Sequence, residues 1–392
     1  MFWTHLCALC TQGRLGHLSR ALDLACDAVT RVVYVGSDGR LRTAATAGEL
    51  WVFRGAGPNF GVILEVTLAA APLAAVMARD AFYALGGGGD ALRLLDSYSD
   101  AATRLPDSSS LDAFLFRAAA PGEWGALQLA TSSFDALLSR DPRLPAAPPS
   151  ALALSSSAQP PPLDAAPQRV GEAVAHVPTG LFDREMYMTD AFSRTRFGAR
   201  GDPGKLLSFK RCVLLRPFHA GGGGVITRIL RDAFAAGAAP NPWCYIHLLH
   251  CCGAVSRVRP SDTAFGVRGW EFAAVITGMW PASADGDDGV RAGVVEWVEG
   301  VSRDLLCFAA GAYPADLKPP PSDAAFAAAA FGPNSLRLAE EKQARTPSAC
   351  SAQPVRCSRA PPPPRLRRPR VRPPRRGQGT GWAQASPKRS PR

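Results

Sequence analysis

The sequence predicts an α+β chain in which a sheet is covered by helices. The first reason is size and composition: 392 residues, 47% hydrophobic and 20% charged, suffice for between two and three domains at about 150 residues each. The second is a succession of short β-rich runs divided by Gly and Pro, and the third is a set of longer segments with helical apolar spacing. The 37 Gly and 35 Pro exceed ordinary usage, so part of the chain is expected as loop or linker.

Taken in order, Thr30 to Val35 reads as a strand, Ser37-Asp38-Gly39-Arg40 as a turn and Leu41 to Ala45 as its hairpin partner. Arg54 to Gly61 is a glycine-bearing segment, followed by Val62 to Leu68, which reads as a substantially buried strand. The Pro/Ala stretch from Ala69 to Leu73 suits a domain crossing. Asp90 to Leu95 has the spacing of a short helix, and Phe114 to Phe116 and Ala126 to Ala130 are strand candidates. Pro142 to Pro167, rich in Pro, Ala and Ser, reads as an insertion or long surface loop. Leu206 to Leu215, Tyr245 to Leu249 and Phe272 to Ile276 are further strands, and Val225 to Phe234 and Val290 to Phe308 are helices. Ala324 to Ala344 reads as a last helical region interrupted at Gly332-Pro333, and beyond Ser348 the Pro/Arg composition cannot bury a core.

The formal charge of +11 is a property of the tail. Ser351 to Arg392 holds 11 Arg, 1 Lys and no acid, leaving 32 basic against 33 acidic residues in the rest. The folded part therefore gives no reason to expect a polyanionic partner, and nucleic acid is expected only through the tail. Ten Cys spread over such a length exclude a small disulfide scaffold. No signal peptide is assigned at the start, no window reads as a membrane span, and the sequence assigns no compartment.

Local chemistry is sparse. The small residues of Arg54 to Gly61 let backbone amides approach a flat ligand or a phosphate, and equally serve a tight turn. Neither a GxGxxG nor a GxxxxGK[ST] pattern is present. His247, His250, Cys251 and Cys252 cluster in sequence, but on a strand His247 and His250 face opposite ways, and Cys7-x-x-Cys10 has no second CxxC, so no metal site is expected. Ser302 lacks a nucleophile-elbow context. Tyr245, Arg268, Trp270 and Trp280 suit a pocket lining, with packing the better reading.

A resemblance carries further than these patterns. Gly13-Arg14-Leu15-Gly16-His17-Leu18-Ser19-Arg20, Leu24 to Val29, Asp38-Gly39-Arg40 and Leu50 to Val62, in that order and spacing, resemble the flavin-domain core of the berberine-bridge-enzyme-like FAD-linked oxidases. Phe331-Gly332-Pro333-Asn334-Ser335-Leu336-Arg337-Leu338, followed by Lys342, resembles the element with which these oxidases return to the flavin domain. The resemblance implies an incomplete FAD-binding domain over residues 1–70 and a substrate domain with an antiparallel sheet backed by helices over 71–323. It implies a returning element over 324–347, leaving a disordered basic tail over 348–392.

It also implies FAD as cofactor, a small alcohol, sugar or alkaloid-like substrate, and molecular oxygen as an acceptor, with the flavin carrying the redox chemistry. Gly55, Gly57, Asn59, Phe60 and Gly61 are the implied flavin contacts. The family's Tyr-x-Asn-Tyr signature is matched by Ala310-Gly311-Ala312-Tyr313 before Pro314, which keeps the final Tyr alone. Tyr313 is the implied substrate-side residue and Asp316 a candidate base. A complete member has a large N-terminal portion with a phosphate-cradling loop and commonly a flavin-linked histidine, whereas nothing here precedes Met1. Neither Cys7 nor Cys10 has the surroundings of a flavin-linked cysteine. The rival reading is a noncatalytic remnant or interaction protein with a nucleic-acid-binding tail.

Overall fold

The computed structural model describes residues 10–71, 73–84, 88–120, 123–138, 169–175, 205–218, 224–235, 238–318 and 323–345. The chain divides into Met1–Cys357 and Ser358–Arg392, and every described residue belongs to the first unit. Cys7, the Pro/Ala/Ser-rich 142–167 and the tail over 348–392 lie outside the described residues.

After Cys10, where the described residues begin, come the one-turn helix α1 (Ser19–Leu22) and a three-stranded antiparallel sheet in the order β2-β1-β3. Strand β1 is Val29–Val35, β2 Leu41–Ala44 and β3 Val62–Leu68, with α2 (Ala47–Leu50) between β2 and β3. Gly39 takes φ +74° in the hairpin turn, a conformation glycine adopts without a Cβ penalty. Helix α2 starts on a capping box, in which Thr46 Oγ1 accepts from the Glu49 N–H and the Glu49 carboxylate accepts from the Thr46 N–H.

One expectation fails here. The apolar run of β3 predicts a substantially buried strand, yet Val62 is 66% exposed and Leu64 55%. It is an edge strand pairing β1 alone, and no described element covers its outer face. An apolar run thus specifies a strand without specifying what packs on it.

The second sheet has eight strands in the order β11-β8-β10-β9-β5-β6-β4-β7, antiparallel at every pair. Its strands are β4 (Leu73–Ala84), β5 (Ser109–Ala120), β6 (Glu123–Leu138), β7 (Arg169–Ala175), β8 (Leu206–Leu215), β9 (Tyr245–His250), β10 (Phe272–Pro281) and β11 (Ala309–Ala312). The helices are α3 (Gly88–Thr103), α4 (Gly224–Asp232), α5 (Ala254–Arg257), α6 (Asp288–Leu306), α7 (Ala324–Phe331) and α8 (Ser335–Arg345).

The two faces of this sheet differ because alternate strand residues point to opposite sides. Leu115, Val213, Leu215, Ile246, Leu248, Phe272, Ala274 and Ile276 face the helices and pack with Leu94, Leu230, Val294, Val298 and Leu305. Helix α6 comes close because Gly278 leaves room: a Cβ there would stand 2.4 Å from Val294 Cγ1. Cys212, Leu214, Leu249 and Ala273 form part of a smaller cluster on the other side with Leu24, Phe265, Trp270 and Tyr313. Trp270, Trp280 and Arg268 are structural, since both indoles are buried and Arg268 grips Asp27 at 2.8 and 2.9 Å.

Candidate functional site

The face of the eight-stranded sheet turned away from the long helices α3, α4 and α6, called the helix-free face although Val255 of the one-turn α5 joins its apolar cluster, carries the candidate site residues. Register places Phe114 on β5 opposite His247 on β9, His247 opposite Val275 on β10, and Val275 opposite Cys212 on β8. Tyr313 continues β11, its N–H donating to the Cys212 carbonyl at 3.0 Å. One row therefore runs Phe114, His247, Val275, Cys212, Tyr313, and at ~4.8 Å per strand His247 and Tyr313 are about 14 Å apart.

The Gly13 to His17 segment crosses this row. At one end Gly13, φ +121°, lies so near that a Cβ would meet Tyr313 Cε2 and Phe265 Cε2 at 2.9 Å each. The next N–H, of Arg14, donates to the Tyr313 hydroxyl at 3.0 Å, with Arg14 in the left-handed region at φ 54°. At the other end His17 Nδ1 makes a short contact with Asp112 Oδ2, and His247 Nε2 reaches the same oxygen at 3.4 Å.

Asp112 has no exposed surface, whereas the His17 and His247 side chains are 13% and 14% exposed. Burial works to raise the Asp112 carboxyl; His17, with further help from His247, outweighs it and holds the group well below the usual carboxylate range. Burial lowers His247 against the opposing pull of Asp112. His17 stacks on Phe134 at 4.4 Å between ring centroids, and His247 on Phe114 at 3.9 Å. The three ligand atoms of His17, Asp112 and His247 lie within 4.8 Å of one another.

Behind them, on the helix side, His250 N–H donates to Asp112 Oδ1 at 2.9 Å and His250 Nδ1 accepts from the Leu111 N–H at 3.0 Å. That leaves His250 Nε2 as the donor to Glu271 Oε1 at 2.7 Å. Arg20 completes the chain, donating to Glu271 Oε1 at 3.1 Å and to the carbonyls of Cys251 and Leu105 at 2.8 Å each. His247 and His250 face opposite sides of the sheet, so they share no ligand point with each other.

Around Tyr313, burial pushes the phenol above its usual range, so it holds its proton at neutral pH. Burial also raises the Asp316 carboxyl to about 6, against the pull of Lys210 and Arg211. Pro314–Asp316 forms a single 3-10 turn whose last carbonyl accepts from Arg211 Nη1 at 2.5 Å. Ser302 donates to the Val298 carbonyl at 2.7 Å within α6, away from this face.

Gly55, Gly57, Asn59, Phe60 and Gly61 lie between α2 and β3. A Cβ at Gly55 would stand 2.2 Å from the Phe265 nitrogen, one at Gly57 2.6 Å from Thr11 Cβ, and one at Gly61 2.4 Å from the Val35 oxygen. The room these glycines provide is filled by the chain itself. The Asn59 amide donates to the Ala56 carbonyl at 3.2 Å, and the Lys342 ammonium donates to the Asn59 carbonyl and lies over the Phe60 ring. Gly16, in contrast, has no atom within 4 Å of a Cβ position. A side chain thus has room at Gly16 and not at the three glycines of the Gly55 to Gly61 segment.

Sequence reading missed His17 and Asp112 as site residues. Asp112 carries a signal, being a carboxylate inside the apolar run Leu111 to Phe116, where burial demands a partner. Its partner His17 is 95 residues away, and nothing local announces it.

No protein-family model and no curated protein matches this chain. Solved structures do. A BBE-like protein, number 28, from Arabidopsis thaliana aligns with TM-score 0.63 and 18% identity over 85% of this chain and 67% of that one. Berberine bridge enzyme from Eschscholzia californica aligns with TM-score 0.60 and 16% identity over 86% and 66%. A berberine bridge enzyme variant in complex with (S)-reticuline aligns with TM-score 0.62 and 15% identity over 86% and 66%. The chain spans about two thirds of the length of each, and its fold is the berberine-bridge-enzyme-like fold.

Proposed function

We propose that this chain forms the substrate side, and part of the flavin side, of an FAD-linked oxidoreductase that oxidises a small alcohol, sugar or alkaloid-like molecule, with oxygen as an acceptor. The observation that carries the reading is the crossing of the helix-free sheet face by Gly13 to His17, with Tyr313 at one end and the Asp112 pair of imidazoles at the other. Bound flavin supplies the electron sink.

The chain's own residues supply the rest. Asp316, at about 6, is ionised at neutral pH and accepts a substrate proton. Tyr313 keeps its proton and, with its oxygen already accepting from Arg14, aims that proton toward substrate. Val275, partly buried on the same row, gives the substrate an apolar floor. Gly55, Gly57, Asn59, Phe60 and Gly61 serve the flavin by fixing the position of their segment against Phe265, Thr11 and Val35, and Gly16 leaves the space for the ring. The berberine bridge enzyme structure with bound (S)-reticuline supports the choice of a small organic substrate.

The test is flavin retention. The full chain, loaded with FAD and passed through gel filtration, should keep the visible flavin absorption, and anaerobic addition of alcohols, sugars and benzylisoquinoline amines in turn should bleach it with one class. Readmitted oxygen should restore the colour. A folded chain that retains no flavin overturns the reading. The 11 Arg and 1 Lys of Ser351 to Arg392 are proposed to act separately, binding polyanions in a salt-sensitive way that deletion of the tail abolishes without touching flavin.

A further inference from the structure

A buried carboxylate in the middle of a strand needs compensation, and Asp112 receives it from imidazoles brought in from two distant parts of the chain. Both ring nitrogens, His17 Nδ1 and His247 Nε2, aim at the same carboxylate oxygen, Oδ2. Three electron-pair donors therefore lie within 4.8 Å of one another. We infer that His17, Asp112 and His247 are the protein ligands of a divalent transition-metal ion, best matched by Zn2+, bound on the helix-free face with a further coordination position open to an oxygen ligand.

The donor set fits such an ion. Two neutral imidazoles and one carboxylate form a borderline nitrogen/oxygen set, and three protein ligands are what open zinc sites provide. Tetrahedral Zn2+ with ligand distances near 2.0–2.2 Å places its ligand atoms ~3.4 Å apart, and His247 Nε2 is already 3.4 Å from Asp112 Oδ2. The closer His17 contact is a hydrogen bond whose shared proton the ion would replace, which makes binding proton-coupled.

The surroundings hold the ligands in place before any ion arrives. Phe134 lies 20° from the His17 ring plane and Phe114 14° from that of His247, so both imidazoles are kept from turning. The other Asp112 oxygen is held by the His250 N–H, the kind of outer contact that orients a ligating carboxylate. Access remains, because the two imidazoles keep 13% and 14% of their surface exposed while the carboxylate has none. One carboxylate against a divalent ion leaves a positive charge, so the open position favours hydroxide, an alkoxide or a carboxylate.

The inference stands apart from the flavin reading, because its readout is metal on flavin-free protein. Tag-free full chain, stripped with chelator, is titrated with Co2+ and then Zn2+. The expected result is a visible Co2+ ligand-field spectrum lacking the sulfur charge-transfer band that any of the free cysteines would produce, bleached by Zn2+ and weakening as the pH falls. Asp112→Asn should abolish it. Should Asp112→Asn fail to fold, His17→Gln and His247→Gln, at partly exposed positions, should each abolish it while circular dichroism stays unchanged. Absence of the spectrum in the unsubstituted chain, its persistence in both histidine variants, or a spectrum dominated by thiolate charge transfer overturns the assignment.

Discussion

The Arg14 N–H donates to the Tyr313 hydroxyl at 3.0 Å, joining residues 299 apart in the chain. The contact ties the first described segment to the far end of the sheet and fixes the phenol at one end of the helix-free face. Tyr313→Phe keeps the ring against Phe265 and removes the acceptor, leaving the Arg14 N–H without that partner in a partly buried place. A loss of about 1–2 kcal/mol is expected in urea unfolding. If Tyr313 also steers substrate, flavin reduction in the loaded protein falls by about 10–100-fold with the fold intact. Loss of stability with an unchanged reduction rate would leave the phenol a purely structural part.

The glycines divide into those that fill and those that leave space. Gly55→Ala puts a methyl 2.2 Å from the Phe265 nitrogen at a position with φ +129°, and Gly13→Ala puts one 2.9 Å from Tyr313 at φ +121°. Both should lower stability, by about 3 kcal/mol for Gly55, where the obstacle is backbone and cannot turn aside. Gly16→Ala meets nothing within 4 Å and should leave the melting temperature unchanged. If the ring of the flavin sits there, the same variant weakens FAD retention, and this separation of stability from binding is what the pair of measurements reads.

Much of the fold is legible because local patterns suffice for it. The β1–β2 hairpin follows from a β-branched run and a turn containing Gly39, β8 and β9 follow from apolar runs within a residue of their observed limits, and β10 starts where its apolar run does but continues five residues beyond Ile276, to Pro281. Strand β11 escapes because Ala309–Ala312 consists of Ala and Gly, which carry no alternation, and β4 because the five Ala of Leu73–Ala84 interrupt the alternation of its larger side chains. Strand β5 extends well beyond Phe114 to Phe116, since Ser109, Ser110 and Asp112 look like loop until their partners are known. The opposition of His247 and His250 is legible from strand period alone. The meeting of His247 with His17 is a matter of topology: β9 pairs β5, and the Gly13 to His17 crossing lies over both.

Arg211 holds the other end of the site. Its Nη1 and Nη2 donate to the two Asp323 oxygens at 2.7 and 2.9 Å, its Nε to Glu299 at 3.1 Å, and its guanidinium lies 4.8 Å from the Phe326 ring centroid. Removing one partner of such a buried pair strands the other charge, so Arg211→Ala should cost about 3–5 kcal/mol in chemical denaturation. Arg211→Lys keeps the charge and loses the two-pronged grip, and should recover only part of that. Full recovery by Lys would mean that charge alone matters here. Because Arg211 also holds the Asp316 carbonyl, either variant should loosen the turn after Tyr313.

Asp316 sets a pH dependence whose sign can be worked out. Its carboxyl titrates near 3.8 in the unfolded chain and at about 6 in the fold, so the folded form keeps the proton longer. Its contribution is fully present below pH 3.8 and is lost as the pH rises through about 6. Asp112, His247 and His250 act oppositely, because their folded values are depressed and acidification removes their contribution, first through the imidazole range near 6.5 and then below 3.8. The whole-chain profile therefore mixes both signs, whereas the difference between the unsubstituted chain and Asp316→Asn isolates one. The Asn variant should be more stable by roughly 1–3 kcal/mol at pH 7, with the gain gone by about pH 4, read as the shift in urea midpoint at the two values. If Asp316 is also the base, the same substitution abolishes flavin reduction, and the unsubstituted rate rises with pH through about 6. A flat rate across that range would remove the proton from its care even where the stability difference appears as expected.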